Sequence, residues 1–166
     1  MKKIFKLSFL FLFISTLSSS DSDLSDLYPV GDISIKSLFE IHEGFETNYW
    51  KYETNNLFDP LLFKDIEIYV FFATWCHDSK REVPRLLRLL NKLDVPENHI
   101  HLIGLNFMKN DLQNRGQDFK VKKTPTFILL RNNKEIGRIV EKPDISLETD
   151  LLKILGGGSV ALHAPA

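Results

Sequence analysis

Eight residues, Ile66 to Ala73 (IEIYVFFA), constrain this chain more than any other segment. The run is continuously apolar but for Glu67, rich in β-branched and aromatic side chains, and of strand length. It predicts a central strand covered on both faces. Immediately after it, Val83, Leu86, Leu87, Leu90 and Leu93 recur at helical spacing within Ser79–Leu93, with Lys80, Arg81, Arg85 and Arg88 on the other faces. A helix therefore follows the strand, and Pro84 inside it predicts a kink.

The flanking segments fit an α/β frame. Ile33 to Tyr52 has helix-like spacing in Phe39, Phe45, Tyr49 and Trp50, interrupted by Gly44. His101 to Phe107 is a second strand and Asn110 to Phe119 a polar helix or loop. Thr126–Leu130 and Glu135–Val140 are strands around Asn132-Asn133-Lys134, a hairpin-type turn. Ser146 caps a last helix running to Leu155, with Glu148 and Asp150 near its positive end. The order strand, helix, strand, helix, strand, strand, helix implies an α/β sandwich whose last two strands are antiparallel. No internal repeat is present.

Composition narrows the class. The chain has 166 residues, one domain's worth, with 43% hydrophobic and 26% charged residues, which excludes collagen-like, coiled-coil and wholly disordered chains. Lys plus Arg number 21 against 22 for Asp plus Glu, so no general basis for nucleic-acid binding exists. Residues 1–20 read as a secretory signal. Lys2, Lys3 and Lys6 form a basic start, Leu7 to Leu17 is largely apolar, and Ser18 and Ser20 sit where a signal peptidase prefers small residues. The apolar run is shorter than the about 20 residues a bilayer span needs, so no stable membrane span is expected after cleavage. Cleavage removes three of the 21 basic residues and no acids, leaving a net charge of −4. The expected location is the periplasm or the exterior, both oxidising. Residues 21–31 are a flexible lead-in, 32–155 one domain and 156–166 a flexible tail.

One cysteine in such a compartment cannot form an internal disulfide, so it is reactive or engaged with something else. Cys76 lies in Thr74-Trp75-Cys76-His77-Asp78-Ser79, where strand becomes helix. Unpaired backbone N–H groups and the dipole at a helix start favour an anion, and the thiolate is the reactive form. Ser79, three residues on, shares the face of Cys76 and could donate to its sulfur. A protonated His77 would favour the thiolate and Asp78 would oppose it, so the sign of the net shift stays open. Duller roles exist for each: Cys76 as an inert small hydrophobe, Ser79 as a helix-start residue, His77 as solvated, Trp75 as packing. Arg81, Arg85 and Arg88 read as a solvated face. Cys76, His77 and Asp78 are too few and too cramped to close a metal site.

FFATWCHDSKREVP resembles the active-site segment of the thioredoxin superfamily, with Trp75 before the cysteine and Pro84 at the family's kink position. Lys123-Thr124-Pro125-Thr126 is similar to the family's cis-proline loop, and FILLRNNKEIGRIV to the hairpin after it. The resemblance covers about residues 35–155, and within the superfamily it points to bacterial exported proteins with a Cys-x-x-Ser site. It implies a thioredoxin-like three-layer sandwich with a mixed central β-sheet flanked by helices. It also implies a nucleophilic Cys76, with Ser79 beside it, and substrate contacts by Trp75, His77, Asp78, Thr124 and Pro125. Two departures bear on mechanism. Ser79 stands where a dithiol protein has its resolving cysteine, and Val70 where it has a buried acid. A hydroxyl cannot resolve a mixed disulfide. What remains is monothiol exchange with protein or small-molecule thiols and disulfides, without a cofactor. The alternative is a non-catalytic module that holds extended peptides in the cis-proline groove.

Overall fold

The computed structural model describes residues 28–54 and 58–156. The expected signal segment 1–20, the lead-in up to residue 27 and the tail from 157 lie outside the described residues. In chain order the elements are β1 (Gly31–Asp32), α1 (Ile35–Ile41), α2 (Glu43–Lys51), β2 (Ile66–Phe72) and α3 (His77–Lys92). They continue with β3 (Ile100–Gly104), α4 (Arg115–Asp118), β4 (Thr126–Arg131), β5 (Lys134–Val140) and α5 (Leu147–Leu155). The five strands form one mixed sheet in the order β1-β3-β2-β4-β5, the α/β architecture of a thioredoxin-like fold. β2 runs parallel to β3 and antiparallel to β4, and β4 and β5 form the expected antiparallel hairpin. Its turn is Asn132-Asn133, both residues in the left-handed region at φ 52° and 60°. Asparagine tolerates that conformation, and two such residues match the twist of the paired strands.

The strand IEIYVFF divides its side chains between two cores. Ile66, Ile68, Val70 and Phe72 are fully buried and pack with Leu38, Phe45, Leu86 and Leu151 from the helices. Phe71 joins Ile103, Leu105, Val121 and Ile128 on the opposite face. Burial on both faces holds for Val70–Phe72 but not for the start of the strand. Glu67 and Tyr69 are only half-buried. The Glu67 carboxylate meets His101 Nε2 at 2.7 Å, and the Tyr69 ring stacks on the His101 ring at 4.4 Å. Among the described residues the second core is the smaller, with Val121 in it and Phe119 packed against it, both from the chain after the end of α4.

Several boundaries differ from expectation for local reasons. The upstream helix breaks at His42 rather than Gly44. The His42 N–H closes α1 on the Leu38 carbonyl (3.2 Å), and its own carbonyl accepts from Phe45 to begin α2 (2.9 Å). The second strand ends at Gly104, so Phe107 lies in a loop. At the sheet edge Gly31 pairs with Gly104. Gly104 permits that approach: a Cβ there would sit 2.2 Å from the Pro29 carbonyl oxygen.

Pro84 lies inside α3 and cannot donate to the Lys80 carbonyl. The side-chain amide of Asn48, on α2, donates to that carbonyl at 2.8 Å. The arginine face of α3 is not simply solvated. Arg88 lies over the rings of Tyr49 (5.2 Å) and Trp50 (5.0 Å), and Arg85 over Tyr52 (5.6 Å). Arg81 and Arg85 also hold buried Glu82, at 2.5 and 3.4 Å. The Asn48 hydrogen bond and the Arg88 ring contacts pin α3, whose first turn carries the candidate site, to α2.

Candidate active site

β2 ends at Phe72, and four residues later Cys76 is the N-cap of α3. Helix geometry begins at His77, two residues before the expected start, so the sulfur sits at the mouth of the helix. The turn is held by the Cys76 N–H donating to the Ala73 carbonyl (3.0 Å) and the Lys80 N–H to the Cys76 carbonyl (3.1 Å). Cys76 is part-exposed rather than buried. Facing it is the Thr124–Pro125 bond, which is cis. As a thiol, Cys76 Sγ donates to the Thr124 carbonyl at 3.0 Å. That contact brings together two segments 48 residues apart in sequence.

Burial alone pushes the Cys76 thiol up. Hydrogen bonds from the Thr124 side chain, from the backbone and hydroxyl of Ser79, and from the Asp78 backbone outweigh it and hold the thiol below its ordinary value. Ser79 is fully buried, and its Oγ also accepts from the Ala73 N–H at 3.2 Å, so its position is fixed from both sides. Asp78 supports the thiolate through its backbone, while its carboxylate is paired with Arg81 Nη2 at 2.7 Å. His77 points outward with its side chain 88% exposed, and Nδ1 lies 3.8 Å from Asp78 Oδ1. Of the residues singled out in the sequence, Cys76, Ser79, Thr124, Pro125 and Trp75 converge, Asp78 contributes through its main chain, and the His77 side chain is turned to solvent.

Two neighbours were not foreseen. Phe107 stacks on Trp75 with centroids 4.6 Å apart and planes 15° apart. Lys109 Nζ lies 4.1 Å from the centroid of the same indole and donates to Thr124 Oγ1 at 3.4 Å. Both belong to the loop after β3. Phe107 carries an apolar signal that reads as strand, and Lys109 carries no local signal at all. Among the described residues no group of three or more His, Cys, Asp or Glu side chains is arranged to hold a metal ion. Nor is any helix among them long and apolar enough to cross a membrane.

A family model described as Thioredoxin matches residues 50–153, more than half of the chain. A thioredoxin-like protein of Acanthamoeba polyphaga mimivirus is 28% identical over 90 residues, covering 54% of this chain and 63% of that protein. Thioredoxin H9 of Arabidopsis thaliana is 32% identical over 77 residues, covering 45% of this chain and 51% of that protein. The chain thus spans less than two thirds of either curated relative. Among solved structures, thioredoxin 2 of Pseudomonas aeruginosa PAO1 in its reduced form has 23% identity and a TM-score of 0.41, with 63% of this chain and 95% of that one covered.

Proposed function

Because the chain belongs to the thioredoxin family, we propose that it carries out thiol–disulfide exchange through one nucleophilic cysteine, Cys76, with Ser79 as its hydroxyl partner. The observation that carries this reading is the part-exposed Cys76 sulfur at the N-cap of α3, facing the Thr124 carbonyl at 3.0 Å and surrounded by donors that favour its thiolate. The thiolate attacks a disulfide sulfur, a mixed disulfide forms with Cys76, and the partner thiolate leaves. Ser79 then stabilises the sulfur but cannot release it, so release falls to a second thiol from outside. The substrate lies against Trp75 and the Thr124–Pro125 loop. His77 is placed at the rim, where it meets the substrate rather than the sulfur. The signal-like segment 1–20 supports export to an oxidising compartment, where such disulfides exist.

Alkylation of Cys76 by iodoacetamide as a function of pH tests the proposal directly, since the chain has no other thiol. The midpoint is expected below the free-thiol value of about 8.5. A midpoint at or above that value would leave the fold as a peptide-holding module instead.

A further inference from the structure

We propose that Lys109 sets the specificity of this exchange by receiving a carboxylate carried next to the cysteine of a peptide disulfide. This rests on the reading of Cys76 as the nucleophile. The acids near the site already have cations: Asp78 pairs with Arg81 (2.7 Å), Glu141 with Lys123 (2.6 Å) and Asp111 with Arg115 (2.7 Å). Among the described residues no carboxylate pairs with Lys109. Its ammonium instead rests on the Trp75 face and on the Thr124 hydroxyl, the two residues that flank the sulfur. An ammonium has three donors, and these contacts leave capacity for an acceptor arriving with a substrate.

The loop that presents Lys109 is braced. Asn106 Oδ1 accepts from the Met108 N–H (2.9 Å) and the Asn110 N–H (3.1 Å), and the Lys109 N–H donates to the Asn106 carbonyl (3.0 Å). Lys109 itself is left-handed at φ 61°. Beneath it Gly116 leaves room for the Lys109 carbonyl, which a Cβ would meet at 2.0 Å. Asp111, whose side chain is fully buried, ties the loop to Arg115, and Arg115 in turn holds Asp32 of β1 at 2.7 Å. A cation held in this way keeps its place without losing much freedom on binding.

The same loop exposes Phe107 (67%) and Met108 (85%), the two residues before Lys109. Exposed apolar side chains next to an unmatched cation suit a peptide segment that is apolar and acidic. The step itself is a balanced exchange. The Cys76 thiolate forms a new S–S bond with one peptide sulfur, the old S–S bond breaks, and the electron pair leaves on the other peptide's thiolate. Lys109 enters through the approach and docking of the peptide.

The test uses the disulfide dimers of three short peptides that differ only in having Glu, Gln or Lys beside the cysteine. Second-order rates of Cys76 mixed-disulfide formation are read by mass spectrometry. The wild type is expected to prefer the Glu peptide over the Gln peptide by about two- to fivefold at low salt, the range of a solvated ion pair. The Lys peptide should be slowest. Lys109→Gln should bring the Glu-to-Gln ratio near one, Lys109→Arg should keep most of it, and about 0.5 M sodium chloride should compress it. A wild-type ratio near one, or a ratio that survives Lys109→Gln, overturns the proposal while leaving Cys76 as nucleophile. Reaction with none of the three peptides removes the nucleophile reading, and the proposal with it.

Discussion

Ser79 meets both the Cys76 sulfur and the residue that follows β2. Its Oγ accepts from the Ala73 N–H at 3.2 Å, and its backbone and hydroxyl both favour the Cys76 thiolate. Two substitutions separate these roles. Ser79→Ala removes an acceptor from a buried N–H, which costs about 1–3 kcal/mol of stability. It also removes a donor from the sulfur, so the midpoint of Cys76 alkylation should move up; iodoacetamide rates against pH check it. Ser79→Cys places a second thiol where the fold holds a side chain beside the first. The new thiolate should resolve a mixed disulfide at Cys76 intramolecularly, at high effective concentration. An insulin-reduction assay with an added reductant should therefore show turnover in Ser79→Cys that the wild type lacks. That turnover should stay modest, because Val70, fully buried in β2, offers no acid to assist the second thiol.

At the scale of elements, the site depends on how α3 tolerates its proline. Pro84 has no N–H, so the Lys80 carbonyl lacks its partner within the helix, and Asn48 on α2 supplies one at 2.8 Å. Arg88 over Tyr49 and Trp50 fastens the same pair of helices. Asn48→Leu should keep the apolar contact but leave that carbonyl unpaired, lowering stability by about 1–3 kcal/mol. A lower urea midpoint at unchanged slope would show it. Because Lys80 follows Ser79, the variant should also slow alkylation of Cys76, whereas a purely remote packing defect would leave that rate alone.

For the whole molecule, Glu148 joins segments far apart in the chain. It opens α5, and its Oε1 accepts from the Tyr52 hydroxyl, 96 residues away, at 2.8 Å and from the Thr54 hydroxyl. Burial pushes the Glu148 carboxyl up, but the hydrogen bonds from Thr54, its own backbone, Tyr52 and Ser146 outweigh it and hold the carboxyl below its ordinary value. The folded state therefore binds fewer protons than the unfolded chain in the carboxyl range. The stabilisation is complete above the free value of about 4.3 and is lost as pH falls through the folded value. Burial, reinforced by Glu148, raises the Tyr52 hydroxyl, so its contribution is complete below about pH 10 and lost above it. Glu148→Gln should cost about 1–3 kcal/mol near neutral pH and flatten the acid limb. Thermal unfolding followed from pH 3 to 7 measures both effects.

The sequence by itself determined the elements and the centre of the site. A continuous apolar run, a period-3.6 pattern and turn or cap residues are local, so IEIYVFF, the leucines of α3, the Asn132-Asn133 hairpin and the Ser146 cap are all legible in short windows. The junction of strand and helix likewise placed Cys76, because a helix start needs no distant partner to attract an anion. Tertiary structure decided what surrounds that sulfur. Thr124 reaches it across 48 residues, Phe107 leaves the strand to stack on Trp75, and Lys109 settles on the same ring. Asp78 supports the thiolate through its main chain while its carboxylate pairs with Arg81, and Glu67, polar in an apolar strand, is accommodated by His101. These contacts depend on loop paths and strand order, which no local periodicity encodes. The sulfur's position is therefore a property of the sequence pattern, while its electrostatics belong to the assembled fold.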